Sequence, residues 1–474
     1  MQEKSAIIRT IETAAGVHAP GHLGELTQIV DFALVDAVLE ETGAREKRRR
    51  LLPARVVVYF VLALALFEKC SYRAVWGKLT TSLGALAPIV PAASSLARAR
   101  RRLGAAPLRR LFEALAGPVA DRGQAGAFYR GLRTVALDGT HLHLPDDEQV
   151  TWRYPKRSGD TLEFGYPLLR LLVVVECGTR AVLAAAFGPE DEGELPYARR
   201  LLGCLNTSML LLADAGFDAI EFLRDVTTSG AQFLVRSSAR RRPTIQRRLP
   251  DGSYLARISG AYRAGQGYRP LEVRVIEAWI TITLDDGTTR REPWRLVTSL
   301  LDHQRHPARE LVELYHRRWQ VETAYFSIKA TMLDGRVLRS RSVPGLDQEV
   351  YALLVTYQAL IRAAADAVTG RPGPAMERIS FTVLLQAAVD QVISAGGILP
   401  PEGEPVDLLG AIGRTVLENL LPATPRQRVK ARSRKNPTSK YGPNAGKHPQ
   451  TAQSYTLTAE IHVMETGLAP RPRR

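Results

Sequence analysis

Between Thr134 and Val235 the chain changes character in a fixed order, and that order limits the fold more than any other feature. Thr134 to Leu137 is an apolar run that leads through Asp138-Gly139-Thr140 into the alternating His141-Leu142-His143-Leu144. Leu168 to Glu176 is a long apolar run, Cys177-Gly178-Thr179 supplies a turn, and Ala181 to Phe187 returns as a hairpin partner. Leu195 to Leu205 reads as helix and Met209 to Ala213 as a buried strand ending at Asp214. Ala219 to Thr228 is again helical, and Gln232 to Val235 is the next strand. The succession β-β-β-α-β-α-β predicts an α/β layer arrangement around a mixed sheet. Asp138 and Asp214 each close an apolar strand run of that sheet.

A second constraint lies further on. No Gly or Pro interrupts Arg309 to Met332, and good helix formers dominate, so one continuous helix is the low-energy expectation. At about 100° per residue, Tyr315, Arg318, Glu322 and Lys329 share a sector of about 60°. Leu311, Leu314, Trp319 and Phe326 fall close to that sector, which predicts a half-buried polar face in need of partners or a ligand.

The remainder is read around these two pieces. From Leu23 to about Asp121 the pattern is helical, with helices at Val30 to Glu41, after Pro53, at Ser71 to Leu83 and at Ser94 to Gly104. The last is expected to be capped by Ser94 or Ser95 and ended by Gly104, and it carries Arg98, Arg100, Arg101 and Arg102. Such a helix suits phosphate and base-edge contacts in a DNA groove, and equally suits the solvated face of a bundle. Residues 238 to 293 look like a β-rich insertion, with strands at Leu255 to Ile258, Leu271 to Ile276 and Trp279 to Leu284 and a hairpin turn at Asp286-Gly287. Helices are expected at Leu346 to Ala365, Phe381 to Ser394 and Val406 to Leu421. Arg426 to Gln450, rich in Lys, Arg, Pro, Gly and Asn, cannot build a core. The expected division is a helical domain at 1–125, a catalytic α/β domain at 126–345, a helical region at 346–425 and a flexible basic tail at 426–474.

Charge narrows the choice of partner. Lys and Arg outnumber Asp and Glu by 64 to 48 in a chain of 474 residues, a formal charge of +16. The excess recurs in clusters at Arg45 to Arg50, Arg98 to Arg102, Arg236 to Arg248 and Arg426 to Lys435, which favours nucleic acid. Cys70, Cys177 and Cys204 lie far apart with neither metal-type spacing nor an even disulfide set, which fits a reducing cytoplasm. Met1 to Gly16 lacks a signal-peptide core, and the longest apolar run, Val56 to Phe67, is too short to span a bilayer. No membrane association is expected.

Asp138, Asp214 and Glu322 would converge if the long helix packs on the sheet. Three carboxylates at one point need a cation, and hard oxygen donors favour Mg²⁺ or Mn²⁺. Two such ions would serve an in-line phosphoryl transfer.

Tyr315, Arg318, Glu322 and Lys329 reproduce the pattern Tyr, two residues, Arg, three residues, Glu, six residues, Lys. In this the chain resembles the bacterial insertion-sequence transposases of the IS-four type, which belong to the DDE class. Asp138-Gly139-Thr140 and Asp214-Ala215-Gly216-Phe217 are similar to the family's two Asp motifs, and the stretch from Asp214 to Glu322 has room for the family's β insertion. The resemblance covers residues 130 to 340 firmly and the N-terminal helices more loosely. It implies an RNase H-like catalytic domain that binds double-stranded transposon-end DNA as a homodimer in a paired complex, cuts by Mg²⁺-dependent hydrolysis and joins 3′-hydroxyls to a target. By the same resemblance Asp138, Asp214 and Glu322 are the metal-binding triad, and Tyr315, Arg318 and Lys329 grip phosphates near the transposon end, a role that suits their donor chemistry. Trp294 resembles the aromatic on which some relatives stack a flipped base during DNA hairpin formation, with core packing as the alternative, and Arg236 sits where the resemblance suggests a DNA contact, with a solvated loop charge as the alternative. Ala215 departs from the pattern, since many relatives carry a basic residue there. His141 and His143 are expected to be polar positions of the strand. Two alternatives share the fold: a DNA-binding remnant that cuts nothing, and a nuclease without strand transfer.

Overall fold

The computed structural model describes residues 21–46, 48, 50–86, 90–158, 163–238, 241–259, 270–283, 289–369, 376–398 and 409–422, together with 427–428, 437–439, 442–443, 454–455 and 458–464. Five helices open the described chain: α1 (Phe32–Glu41), α2 (Ala54–Leu66), α3 (Tyr72–Thr80), α4 (Ala93–Leu103) and α5 (Ala106–Leu115). Local chemistry sets their starts. Asp31 accepts from the Leu34 amide, Pro53 precedes α2 in an extended conformation, and Ser71 accepts from the Ala74 amide. The expected serine cap of α4 is not found: Ala92 is the N-cap, and Ser94 and Ser95 lie within the first turn. Gly104 does end it, at φ +71°.

The sheet follows in the order read from the sequence: β1 (Leu132–His143), β2 (Leu168–Glu176), β3 (Val182–Pro189), α6 (Glu194–Leu201), β4 (Met209–Ala213), α7 (Ile220–Thr228) and β5 (Gln232–Arg236). Spatially the strands run β3, β2, β1, β4, β5, with β1, β4 and β5 parallel and the two hairpin partners antiparallel. This is the expected mixed α/β sheet of an RNase H-like domain. The insertion supplies β6 (Thr244–Arg248), β7 (Tyr254–Ile258), β8 (Leu271–Thr283) and β9 (Thr289–Thr298). It is an extension of the same sheet, because β9 pairs antiparallel with β5 and β8, β7 and β6 continue outward. The two strands expected at 271–276 and 279–284 are one strand, and the Asp286-Gly287 turn lies outside the described residues.

Beyond the sheet come α8 (Ala308–Tyr315), α9 (Trp319–Phe326), α10 (Val343–Val368), α11 (Phe381–Ser394) and α12 (Gly410–Glu418). The domain boundaries expected near 125 and 345 are not boundaries between cores. One apolar cluster runs from Leu23 through α2 and one face of the sheet to α10 and α12, while α6 and α7 cover the other face. Arg100 is part of that join: 5% exposed, it donates to Tyr72, Gln348, Ser340 and the Gly345 carbonyl. Most of the basic stretch at Arg426 to Gln450 lies outside the described residues, but the tail contributes β10 (Thr458–Val463), paired antiparallel with β8. No helix among the described residues is long and apolar enough to cross a membrane.

Candidate active site

Strand register brings the two aspartates together. Leu137 of β1 pairs with Ala213 of β4 in parallel, so Asp138 and Asp214 each follow a paired position and share one face of the sheet. Neighbouring strands lie about 4.8 Å apart, which sets the spacing of the two backbones. Each carboxylate is also oriented by its own turn: Asp138 Oδ1 accepts from the Gly139 amide and Asp214 Oδ1 from the Gly216 amide, both at 2.8 Å.

Glu322 comes from α9, and here the structure departs from one continuous α-helix. After α8 the chain tightens into a 3-10 turn at His316–Arg318, resumes as α9, and widens into a π-helix at Ser327–Met332. Irregular turns of both kinds inside a helix are frequent at functional sites. In a 3-10 turn residues three apart eclipse, so Tyr315 and Arg318 stand one above the other and turn inward. Tyr315 is 3% exposed and Arg318 7%. The face expected to be half-buried is therefore divided differently: Trp319 and Phe326 are the exposed residues, at 42% and 66%.

Arg318 is the hub of the cluster. Its Nη1 donates to Asp138 Oδ2 at 3.2 Å and its Nη2 to Glu322 Oε1 at 3.1 Å. The Tyr315 hydroxyl donates to the Ala213 carbonyl at 3.1 Å, beside Asp214. Lys329 Nζ donates to Thr140 Oγ1 at 3.1 Å, which ties the π-helix to β1 just past Asp138. The donors expected to grip phosphate are thus engaged within the protein, Arg318 and Tyr315 in buried positions. Burial pushes the Asp138 carboxyl up to about 6, and the like charges of Asp214 and Glu322 act in the same direction against Arg318 and the Gly139 amide. Burial also pushes the Tyr315 phenol up to about 12.

Trp294, on β9, packs edge-on against Tyr315 with ring centroids 5.4 Å apart. Arg236, at the end of β5, places its guanidinium over the Trp294 ring, 5.2 Å from the centroid. Both side chains are half-buried, so this stack joins Arg236, Trp294 and Tyr315 to the site. Arg98 and Arg101 are exposed on α4, whereas Arg100 is buried and Arg102 donates to Glu46 and the Leu52 carbonyl. Only part of that arginine run is available to a partner. Ala215 is exposed. His143 is exposed beside Tyr166, and His141 is 3.4 Å from Glu190.

Sequence reasoning missed Tyr325. It lies three residues beyond Glu322 on the inner face of α9, and its hydroxyl donates to the Asp138 carbonyl at 2.7 Å while accepting from the Val173 amide at 3.1 Å. An aromatic residue at i+3 from the acidic position was the available signal.

The donor chemistry suits a hard divalent ion, since the carboxylate oxygens come from three elements and all are hard donors. As the side chains stand, no group of three His, Cys, Asp or Glu among the described residues is close enough to hold one. Arg318 supplies the opposing charge to Asp138 and Glu322 instead, so an ion at this site competes with a guanidinium.

Residues 129–358 match the family model described as "Transposase DDE domain", and residues 20–113 match "Insertion element 4 transposase N-terminal". The chain is 27% identical over 338 residues to the "Transposase InsG for insertion sequence element IS4" of Escherichia coli (strain K12), covering 71% of this chain and 75% of that one. It is also 27% identical over 188 residues to the "Putative transposase InsZ" of the same strain, covering 39% of this chain and 60% of the other.

Proposed function

Because this chain belongs to the DDE transposases of the insertion element 4 type, we propose that it binds the terminal inverted repeats of an insertion sequence, cuts them and joins the freed ends to a target by cut-and-paste transposition. DNA cleavage and strand transfer are the chemistry of the family. Asp138, Asp214 and Glu322 are the residues that would hold the divalent metal on which DDE domains depend. In this reading the metal is a pair of Mg²⁺ ions, with Mn²⁺ able to substitute, which when bound activate a water or a 3′-hydroxyl and stabilise the leaving oxygen. The single observation that carries the assignment is the paired register of Asp138 and Asp214 with Glu322 linked to Asp138 through one guanidinium.

The chain's own residues divide the remaining work. Tyr325 fixes the Asp138 backbone, and Lys329 with Thr140 holds the π-helix against β1. Arg318 keeps two carboxylates from repelling one another and, once an ion takes over that task, is free to meet a phosphate in bidentate fashion. Lys329 would follow as a point charge and Tyr315 through its hydroxyl. Arg236 and Trp294 present a cation and an aromatic surface to DNA at the border of the site, and Arg98 and Arg101 present charge further out. The active complex is a homodimer on paired DNA ends in the cytoplasm.

Asp138→Asn, Asp214→Asn and Glu322→Gln test this on DNA carrying the inverted repeats that flank the reading frame. Each variant should retain DNA binding and lose Mg²⁺-dependent cleavage; a variant that still cuts removes its residue from the centre. Nicking by the parent without joining would identify a nuclease, and binding without cutting an inactive remnant.

A further inference from the structure

The arginine cluster from Arg236 to Arg248 extends well past Arg236, the member that stands over Trp294. It leads into β6, whose five residues are all exposed at the outer edge of the sheet. β6 pairs antiparallel with β7, and the pairing carries a bulge: Arg247 opposes Leu255 and Ile245 opposes Ala256, so Gln246 is the extra residue. That one residue decides which way the cations point. Tyr254, Ala256 and Ile258 are buried in the cluster under α6 and α7, which places Leu255 and Arg257 on the other side. Arg247 joins them through its pairing with Leu255, while Arg248, paired with Tyr254, is turned to the α6 and α7 side. An unbulged register would have set Gln246 opposite Leu255 instead.

The same register runs through to the strands that carry the two aspartates. Arg247 pairs with Leu255, Leu255 with Arg274, Arg274 with Thr298, Thr298 with Leu234, and Leu234 with Leu212. Leu212 in turn pairs with Ala136. Paired residues project from the same side of a sheet, and Asp214 and Asp138 lie two residues beyond Leu212 and Ala136, so Arg247, Arg257 and both aspartates share a face. The middle of this row is roofed: Arg274 and Thr298 are fully buried, and Arg274 donates to the His306 carbonyl at 2.6 Å. It returns to solvent at β6 and β7, where Arg247 and Arg257 are exposed and, among the described residues, bonded to no carboxylate. Glu272 is the residue opposite Arg257 on β8, and the two arginines outnumber it. Ile245, the apolar residue of β6, belongs to the opposite face by its pairing with Ala256, so the Arg247 face is polar and cationic. Such a surface suits a phosphate backbone, which guanidinium groups hold in bidentate fashion. Five strand spacings of about 4.8 Å put Arg247 about 24 Å from Leu212 along the row. A duplex covers that span in about seven base pairs.

We propose that β6 and β7 form a further DNA contact, in which Arg247 and Arg257 hold backbone phosphates about seven base pairs from the phosphate that is cut. The bulge at Gln246 is the device that aims Arg247 at the DNA. The inference rests on the reading of the chain as a DNA-cutting enzyme with Asp138 and Asp214 at its centre.

The test is binding of the full-length protein to duplex DNA carrying the inverted repeats, with the salt dependence of affinity and phosphate-ethylation interference read together. Arg247→Gln and Arg257→Gln should each reduce the steepness of log K against log salt by about 0.9, and the double variant by about 1.8. Interference about seven base pairs from the cut should fade in the double variant and persist at the cut itself. Arg247→Lys, which keeps a point charge for a phosphate, should keep the slope. Arg248→Gln, on the opposite face, should change neither reading. A parent-like slope and interference pattern in the double variant overturns the contact at β6 and β7 and leaves the catalytic reading standing. An equal loss in Arg248→Gln overturns the face assignment and with it the role of the bulge. Absence of interference at every phosphate in the parent overturns the DNA-cutting reading and this inference together.

Discussion

Arg318 Nη1 donates to Asp138 Oδ2 at 3.2 Å although 180 positions separate the two residues. That bond, with its companion to Glu322, locks the irregular helical run onto the sheet through a nearly buried cation. Removing the guanidinium leaves the largely buried Asp138 carboxylate without its counter-ion.

Arg318→Met should therefore destabilise the metal-free protein by roughly 3 kcal/mol, the scale for breaking a buried pair. Mn²⁺ should then restore more stability to the variant than it adds to the parent, because it binds a site freed of its competitor. Calorimetric melting with and without Mn²⁺ decides this, and equal melting temperatures for metal-free parent and variant would show that the pair contributes nothing.

Tyr325→Phe removes one hydroxyl that serves the Asp138 carbonyl and the Val173 amide. A loss of about 1 kcal/mol in urea unfolding is expected, together with slower cleavage at unchanged DNA affinity. Full cleavage activity in this variant would mean that the strand alone positions Asp138.

Trp294 is both packing for Tyr315 and an aromatic surface beneath Arg236. Trp294→Ala should slow hairpin formation on a transposon end more than first-strand nicking, since stacking of a flipped base is worth about 1–3 kcal/mol. Trp294→Phe should recover much of the difference. Equal slowing of both steps by Trp294→Ala would assign the residue to packing alone.

The arginines of α4 should separate cleanly in a salt titration of DNA binding. Arg98→Gln and Arg101→Gln, at exposed positions, should each reduce the slope of log K against log salt by about 0.9 for every phosphate the variant no longer neutralises. Arg100→Gln should instead lower the melting temperature, because its guanidinium is bonded to α3 and α10. Unaltered slopes for Arg98→Gln and Arg101→Gln would make that face a solvated one.

Acid should act through His141. Burial holds its imidazole down to about 4, with Arg170, Arg157 and Lys329 pushing the same way and Glu190 opposing. A folded-state value below the unfolded one contributes stability that is complete above about 6.5 and is lost as the pH falls towards 4. His141→Gln should flatten the fall in stability over that window, by on the order of 1 kcal/mol. Parallel pH–stability curves for parent and variant would exclude this histidine as a source of acid sensitivity.

Much of this was legible in residue order because it depends on local pattern. The strand and helix succession from Leu132 to Arg236 follows from apolar runs and turns, and the Tyr, Arg, Glu and Lys spacing identified the helical run and its family. The course of that run was not legible: Tyr315 to Met332 has the composition of an ordinary α-helix, yet the fit of Tyr315 and Arg318 against β1 and β4 accompanies a 3-10 turn before Glu322 and a π-helix after it.

The sequence by itself determined which residues are chemically able to hold a metal or a phosphate, and the order of the strands that carry them, since side-chain chemistry and period-two patterning need no neighbour. Only the tertiary structure decided what those residues face. It set Arg318 against Asp138 and Glu322 and buried Arg100 while leaving Arg98 exposed. The reason is physical: strand register and helix packing bring distant residues together, and a charged group in such a place is stable only beside the partner that the fold delivers.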